Sequence, residues 1–151
     1  MKAKDKIIFD IASKVRKACE KFSYSDKAKN YDFHLKKDLS CMCAVASTVL
    51  KEVLLRNSIQ SKFVCGQFSE FEVEGLPRHG DDHCWVECGN KIIDITATQF
   101  GNFKSVWIVS KKHYFYIKAF ECDFRYLKKV GWDKSQRPNK RVVSQILRMI
   151  E

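Results

Sequence analysis

Hydrophobic residues recur at helical spacing in two segments near the start of the chain. Over residues 5–22 they fall every three or four positions between lysines, at Ile7, Ile8, Ile11, Val15, Ala18, Cys19 and Phe22. This spacing predicts an amphipathic helix whose apolar stripe packs on a core. Residues 42–57 repeat the pattern without Gly or Pro, which predicts a second, more buried helix. Asp38 and Ser40 precede it as predicted N-cap residues, and the polar segment 23–40 is predicted as a loop.

The rest of the chain predicts strands followed by one closing helix. The strands are expected over residues 62–68, 82–88, 91–97, 104–109 and 112–119. Loops are expected over residues 74–80 and around Gly131, Trp132 and Pro138, and a closing helix over 139–150. Two helices, an antiparallel sheet and a last helix make an α+β fold. A chain of 151 residues has room for a single domain, predicted to span 1–151.

Gly89-Asn90 is a favourable two-residue hairpin turn, and it fixes the pairing of its flanking strands. Residue 88 then pairs with 91, 87 with 92, 85 with 94 and 83 with 96. Alternation along each strand places one set of side chains on a shared face: His83, Trp85, Glu87, Ile92, Asp94 and Thr96. The opposite face holds Cys84, Val86, Cys88, Ile93 and Ile95. His83 and Asp94 become diagonal neighbours, close enough for the carboxylate to reach the imidazole.

The first turn of a helix stabilises a thiolate through its unpaired N–H groups and its dipole. Cys43 is placed at the start of the second predicted helix. A neighbouring imidazolium would complete an ion pair with this thiolate, and a carboxylate would hold the imidazole ring. The pattern therefore predicts Cys43 as nucleophile, His83 as general base and acid, and Asp94 as the residue that orients His83. Trp85 is predicted to form the wall of the substrate site.

Two blocks of the chain resemble the transglutaminase-like (papain-like) superfamily of cysteine enzymes. The block from Cys43 to Gly66 is similar to the nucleophile helix and the strand that follows it. The block from His83 to Phe100 contains H-x-W-x-E and then D-x-T, in the order of that superfamily's His and Asp strands. The resemblance implies a papain-like core in which the nucleophile helix packs on an antiparallel sheet. It also implies acyl transfer through a thioester: peptide cleavage, glutamine deamidation or amide cross-linking.

Three departures from the superfamily pattern affect individual positions. Met42 and Cys41 replace the glycine common just before the nucleophile, so Cys41 is a rival to Cys43. Ser58 replaces the glycine usual near the end of the helix. The first glutamine is Gln60, so no upstream glutamine can serve as the oxyanion donor, and backbone N–H groups, including that of Cys43, are expected instead.

Other functions are compatible with parts of the sequence. Each member of the proposed triad is also a common structural residue, so a non-catalytic copy of the fold remains an alternative. Zinc ligation by the cysteines and His83 is disfavoured because the usual C-x₂-C pairs are missing and His83 faces away from Cys84 and Cys88. The protein carries a net charge of +10, half of it after residue 121, in Arg125, Lys128, Lys129, Lys134, Arg137, Lys140, Arg141 and Arg148 against three acidic residues. A basic binding module, with Trp107 and Tyr114–Tyr116 stacking on bases, is the competing hypothesis, although an ordinary solvated surface and core explain these residues more simply.

Cysteine usage and hydropathy indicate the compartment. Seven cysteines, an odd number, favour a reducing environment over a disulfide framework. No apolar run approaches the roughly 18–20 residues of a membrane span, and no secretion signal is visible. The expected protein is cytoplasmic, or is delivered into a target cell as a toxin or effector. We expect a protein or peptide substrate rather than nucleic acid, and no cofactor.

Overall fold

The computed structural model describes residues 2–69, 81–121 and 138–151. The predicted loop 74–80 lies outside the described residues, as do Gly131 and Trp132. So do five of the basic residues near the carboxyl terminus: Arg125, Lys128, Lys129, Lys134 and Arg137.

Three α-helices lie in the described segments, where the apolar periodicity predicts them. They are α1 (Ala3–Ser23), α2 (Cys43–Arg56) and α3 (Lys140–Ile150). Each helix packs against the other two, and their apolar stripes share one core with the helix-facing side of the sheet. The sheet contributes Val86, Cys88, Ile93 and Ile95 to this core. None of the described helices is long and apolar enough to cross a membrane.

The strands form one antiparallel sheet beside the helices, and the α+β class is confirmed. The strands are β1 (Lys62–Phe68), β2 (Asp81–Cys88), β3 (Lys91–Asp94), β4 (Trp107–Ser110) and β5 (Tyr116–Glu121), in the order β4-β3-β2-β1-β5. The β2–β3 hairpin has the expected register over three pairs, Cys88 with Lys91, Glu87 with Ile92 and Val86 with Ile93. The two faces are populated as predicted: Trp85 and Ile92 share one cluster, while Val86 and Ile93 join the helical core.

Three expected elements differ in extent from the prediction. The strand expected over 91–97 ends at Asp94, because Thr96 turns the chain and residues Ala97–Phe100 form a 3-10 helix. The last two strands start later than expected, at Trp107 and Tyr116.

The sheet curls, so that its two edges approach one another. Strands β4 and β5 lie at opposite edges, about 19 Å apart in a flat five-stranded sheet, yet only residues 111–115 join them. The side chains confirm the curl, since the rings of Trp107 and Tyr116 have centroids 6.0 Å apart. The concave face encloses an aromatic cluster made of Phe68, Trp85, Phe100, Phe103, Trp107, Phe115 and Tyr116.

The start of α2 differs from the prediction. Its N-cap is Met42, which provides no side-chain cap, and Asp38 and Ser40 do not cap the helix. The Asp38 carboxylate instead accepts hydrogen bonds from the backbone N–H and the hydroxyl of Ser40, at 3.0 and 2.8 Å. A short turn therefore forms before the helix, and the first-turn N–H groups of α2 have no capping side chain.

The backbone conformation at the end of α2 explains why glycine would be favoured at the position of Ser58. Ser58 has a left-handed backbone (φ 59°), and its N–H bonds to the Leu55 carbonyl while that of Ile59 bonds to Leu54. These two bonds define a Schellman motif, in which the left-handed position is normally glycine. A side chain there costs about 1 kcal/mol or more of conformational energy.

We predict that Ser58→Gly raises the free energy of unfolding by about 1 kcal/mol, because glycine adopts the left-handed conformation without strain. Urea denaturation should show a higher midpoint with an unchanged slope. The matched variant Ser58→Val should lower the midpoint, since a β-branched residue fits this region poorly. A midpoint for Ser58→Gly equal to or below that of the wild type would contradict the assignment.

Candidate active site

Cys43 is the first residue of α2, and its sulfur lies where the helix dipole is positive. The first turn holds no acidic residue that would compete with a thiolate for this field. The chain reaches the helix through a strained approach, with left-handed backbones at Leu35, Leu39 and Cys41. Such conformations are uncommon for residues with side chains and concentrate at functional sites. These three residues set the backbone path by which the chain enters α2 at Cys43.

His83 is held by Asp94 on the concave face of the sheet. The His83 Nε2 atom lies 2.7 Å from the Asp94 Oδ2 atom, and both side chains are fully buried. The same Oδ2 accepts a 2.7 Å hydrogen bond from the Tyr116 hydroxyl, while Oδ1 accepts one from the Thr96 N–H at 2.8 Å. The carboxylate is thus saturated with donors, and Asp94 engages only one of the two ring nitrogens of His83, Nε2.

The electrostatics of this cluster favour two ionised partners. Burial alone disfavours the imidazolium, but the charge of Asp94 and its hydrogen bond raise the pKa of His83 to about 10. Burial likewise disfavours the Asp94 carboxylate, yet the His83 charge and the hydrogen bonds hold its pKa below the ordinary value. Tyr116 is kept protonated, because burial and the neighbouring Asp94 carboxylate both raise its pKa. The pair His83–Asp94 is therefore charged at neutral pH.

The thiol of Cys43 meets both His83 and Cys84. A hydrogen bond from the Cys84 thiol lowers the pKa of Cys43 to about 5, with further contributions from the hydrogen bond and charge of His83. The same contact raises the pKa of Cys84, which remains the protonated donor. Between these two sulfurs the negative charge belongs on Cys43, since only Cys43 has both the helix dipole and the imidazolium beside it.

A second sulfur contact extends the cluster into the sheet. Cys65 on β1 lies directly opposite Cys84 on β2, and their Sγ atoms are 3.3 Å apart. Cys43, Cys65 and Cys84 are buried together with Ala44 and Phe63. None of the six cysteines in the described segments is in a disulfide.

Trp85 lies on the predicted face but within the protein. Its side chain is fully buried, with its ring 5.9 Å from the His83 ring and 5.0 Å from the Tyr116 ring. Phe100 covers another side of the imidazole at 4.8 Å, edge to face. Trp85 and Phe100 therefore keep water away from His83, while contact of Trp85 with a substrate stays a prediction.

Gln99 brings a side-chain amide to the free side of His83. Its Nε2 atom lies 3.4 Å from the His83 Nδ1 atom and donates to the Thr96 carbonyl at 3.1 Å. Gln99 is half-buried, in the 3-10 helix that follows Asp94. The amide is close enough to adjust the ring's position or to donate to an oxygen bound beside it.

Arg16 of α1 joins the segments that carry Cys43 and Asp94. Its guanidinium donates to the Lys37 carbonyl before Cys43, at 3.0 Å, and to the Ile95 carbonyl after Asp94, at 2.6 Å. Thr98 closes the link, accepting from Arg16 at 2.9 Å and donating to the Asp38 carbonyl at 2.8 Å. The two segments are thus fixed relative to each other from outside the triad.

Cys41, the rival nucleophile, has a different environment. The Cys41 residue is exposed on the loop before α2. Partial burial of its thiol and the nearby Asp32 charge raise its pKa, whereas the pKa of Cys43 is lowered. The geometry therefore favours Cys43. No cluster of three or more His, Cys, Asp or Glu side chains suited to a metal ion occurs within the described ranges.

The contacts that Arg16, Tyr116 and Cys84 make near the site were not predicted from the sequence. Arg16 interrupts the apolar stripe of α1, with buried Ala12 and Cys19 on the same face, and a charge within such a stripe was an available signal. Tyr116 had no such signal, because aromatic residues in strands are ordinary core residues. The contact of Cys84 with Cys43 depends on how the helix docks on the sheet, which a periodic pattern does not fix.

No family model, curated protein or solved structure matches this chain.

We predict that iodoacetamide alkylates Cys43 with a midpoint near pH 5, because the imidazolium and the Cys84 thiol stabilise its thiolate. Peptide mapping by mass spectrometry at pH 6 should find Cys43 modified, while the exposed Cys41 reacts only above the pH at which an ordinary thiol ionises, about 8.5, because its pKa is raised. Cys41→Ser should leave the profile of Cys43 unchanged. Equal pH profiles for the two cysteines would contradict the ion pair.

We predict that Asp94→Asn raises the midpoint of Cys43 alkylation by about 1–3 pH units, because His83 loses the charge that keeps it protonated. Tyr116→Phe is the matched control, since it removes a hydrogen bond to Asp94 and keeps the carboxylate. It should lower the free energy of unfolding by about 1–3 kcal/mol without raising the Cys43 midpoint. A midpoint that rises equally in both variants would show packing, not charge, to be responsible.

Proposed function

We propose that the protein is a cysteine-dependent amide hydrolase or acyltransferase that acts through a thioester on Cys43. One observation carries the proposal: His83 is held at Nε2 by Asp94 and interacts on its other side with a cysteine whose pKa is lowered to about 5. A thiolate beside an imidazolium is an activated nucleophile with its proton donor already in place.

The acyl transfer would proceed in two steps. The Cys43 thiolate attacks the amide carbonyl, and the His83 imidazolium passes its proton to the leaving amine as the carbon–nitrogen bond breaks. The neutral His83 then takes a proton from water or from an acceptor amine, which attacks the thioester and restores the Cys43 thiolate. Asp94 stabilises the imidazolium in both steps, and its carboxylate remains ionised throughout.

The transient oxyanion needs donors close to Cys43. The first turn of α2 has no capping side chain and contains the backbone N–H of Cys43, and the Gln99 amide lies 3.4 Å from the His83 Nδ1 atom. This arrangement replaces the upstream glutamine that the sequence lacks. We assign the oxyanion site to these two donors.

The fold supports a papain-like, or transglutaminase-like, core. A helix that begins with the nucleophile packs on an antiparallel sheet, and the His strand and Asp strand follow along the chain as neighbours. The curl of this sheet encloses the imidazole in aromatic side chains, as a buried ion pair requires. These features, with the H-x-W-x-E and D-x-T motifs, support the resemblance.

The substrate we propose is a protein or peptide that presents an amide on a slender group. Cys43 is only 3% exposed, so a carbonyl reaches it more easily on an extended chain or a side chain than on a rigid surface. Glutamine side chains and extended peptide segments both meet this condition. A cytoplasmic enzyme, or an effector delivered into another cell, would find such substrates among its partners.

We predict that the wild-type protein modifies a set of extended peptides and that Cys43→Ala abolishes the modification. The peptides should be incubated in ¹⁸O water with a primary amine and analysed by mass spectrometry. New termini indicate peptide cleavage, conversion of glutamine to glutamate indicates deamidation, and amine adducts indicate transfer. The pH profile should be bell-shaped, with limbs near 5 and near 10, because both the thiolate and the imidazolium are needed.

Cys41→Ala is the matched control and should retain full activity. Identical peptide products from the wild type and Cys43→Ala would refute the enzyme proposal. Salt-sensitive binding to RNA or DNA, unaffected by Cys43→Ala, would then favour the basic binding module.

A further inference from the structure

Two buried thiols beside the nucleophile form no bond in the acyl-transfer reaction, although the Cys84 thiol stabilises the Cys43 thiolate. Cys84 contacts Cys43 on one side and Cys65 on the other, and both Cys65 and Cys84 are fully buried. Buried cysteines are commonly small core residues. A continuous chain of three sulfurs that starts at an activated thiolate has further chemical consequences.

We propose that Cys43, Cys84 and Cys65 form a thiol–disulfide relay, a modification site at which peroxide oxidation of the nucleophile is resolved into a cross-strand Cys65–Cys84 disulfide. The proposal shares the Cys43 thiolate with the proposed function but does not need acyl transfer. Its substrate is a small peroxide, the kind of oxidant best able to reach a sulfur on a residue that is only 3% exposed.

The first two steps move the oxidation from Cys43 to Cys84. The Cys43 thiolate attacks a peroxide oxygen, which gives a sulfenic acid and releases hydroxide from hydrogen peroxide. The Cys84 thiol then attacks the sulfenic sulfur, and its proton leaves with the sulfenic hydroxyl as water. Cys84 is suited to this step because its thiol already donates a hydrogen bond to the Cys43 sulfur.

The third step releases the nucleophile. Cys65 attacks the Cys84 sulfur and expels Cys43 as a thiolate, and the proton from Cys65 neutralises the hydroxide of the first step. Cys43 is the better leaving group because the His83 imidazolium and the start of α2 stabilise its thiolate. Overall, the Cys65 and Cys84 thiols lose two electrons, hydrogen peroxide becomes two waters, and Cys43 is regenerated.

The sheet geometry suits the final disulfide. Cys65 and Cys84 are directly opposed in the β1–β2 register, and opposed residues of antiparallel strands have Cα atoms about 4.5–5.5 Å apart. That separation lies within the range of about 4.4–6.8 Å that disulfides require. The two sulfurs, at 3.3 Å, need to close by roughly 1.3 Å to bond.

The relay is tested by treating the reduced full chain with hydrogen peroxide and mapping disulfides by mass spectrometry under non-reducing conditions. The wild type should lose the mass of two hydrogen atoms, show a Cys65–Cys84 peptide pair and keep a Cys43 that iodoacetamide still alkylates. Cys65→Ser should stop at a Cys43–Cys84 disulfide and lose Cys43 alkylation until a reductant is added.

Cys84→Ser should leave the sulfenic acid unresolved, so that Cys43 gains two oxygen atoms as sulfinic acid and is lost permanently. Cys88→Ser is the matched control: Cys88 is buried on β2, donates to the Gln60 carbonyl at 3.4 Å and should leave the wild-type result unchanged. If a variant fails to fold, the disulfide map of the wild type still decides the matter.

Two results would overturn the relay while leaving the proposed function standing. One is a wild-type Cys43 that alkylates near pH 6 but passes to sulfinic acid as readily as in Cys84→Ser. The other is a peroxide-treated wild type without the Cys65–Cys84 pair. A Cys43 that neither alkylates near pH 6 nor reacts with peroxide would refute the relay and the proposed function together.

Discussion

The guanidinium of Arg16 carries the constraint on which the geometry of the site depends. Arg16 is buried, with 4% of its surface exposed, and its one charged partner among the described residues is Glu20 at 2.6 Å. Its remaining described contacts are neutral oxygens of the segments before Cys43 and after Asp94. A buried cation is costly unless its donors are satisfied, so the neighbouring loops are held where their oxygens meet it. Helix α1 thereby links the segment before Cys43 to the segment after Asp94.

The charges within the site are arranged in sequence along a line of contacts. Tyr116 and Thr96 donate to Asp94, Asp94 holds the His83 imidazolium, and His83 faces the Cys43 thiolate. Each buried charge has an opposite charge or a donor next to it, which is the condition for keeping ionised groups inside a protein. The aromatic cluster strengthens these interactions because it excludes water from them. The network is stable as a whole and is sensitive at Asp94, which serves three partners.

Patterns local in sequence predicted most of the fold. The helices follow from apolar stripes, and Gly89-Asn90 defines the hairpin register, which places His83 and Asp94 on one face. Interactions distant in sequence were not predictable in this way. The curl of the sheet determines how closely β5 approaches β4 across it. The hydrogen bond from Tyr116 to Asp94 depends on this approach. The predicted capping of α2 was wrong because the Asp38 carboxylate accepts a hydrogen bond from Ser40 within the turn before the helix.

The curl of the sheet forms part of the aromatic enclosure from elements other than those that carry Cys43, His83 and Asp94. Asp94, His83 and Cys43 lie on β3, β2 and α2, whereas the edge strands β4 and β5, which enclose the aromatic cluster, are connected by residues 111–115. The length of this connection limits how far the edges can part. A change of a few residues there would widen or narrow the aromatic enclosure, and Asp94 would be affected through its hydrogen bond from Tyr116. Variation in this one loop would therefore change the room around the His83 ring more than the position of Cys43 on α2.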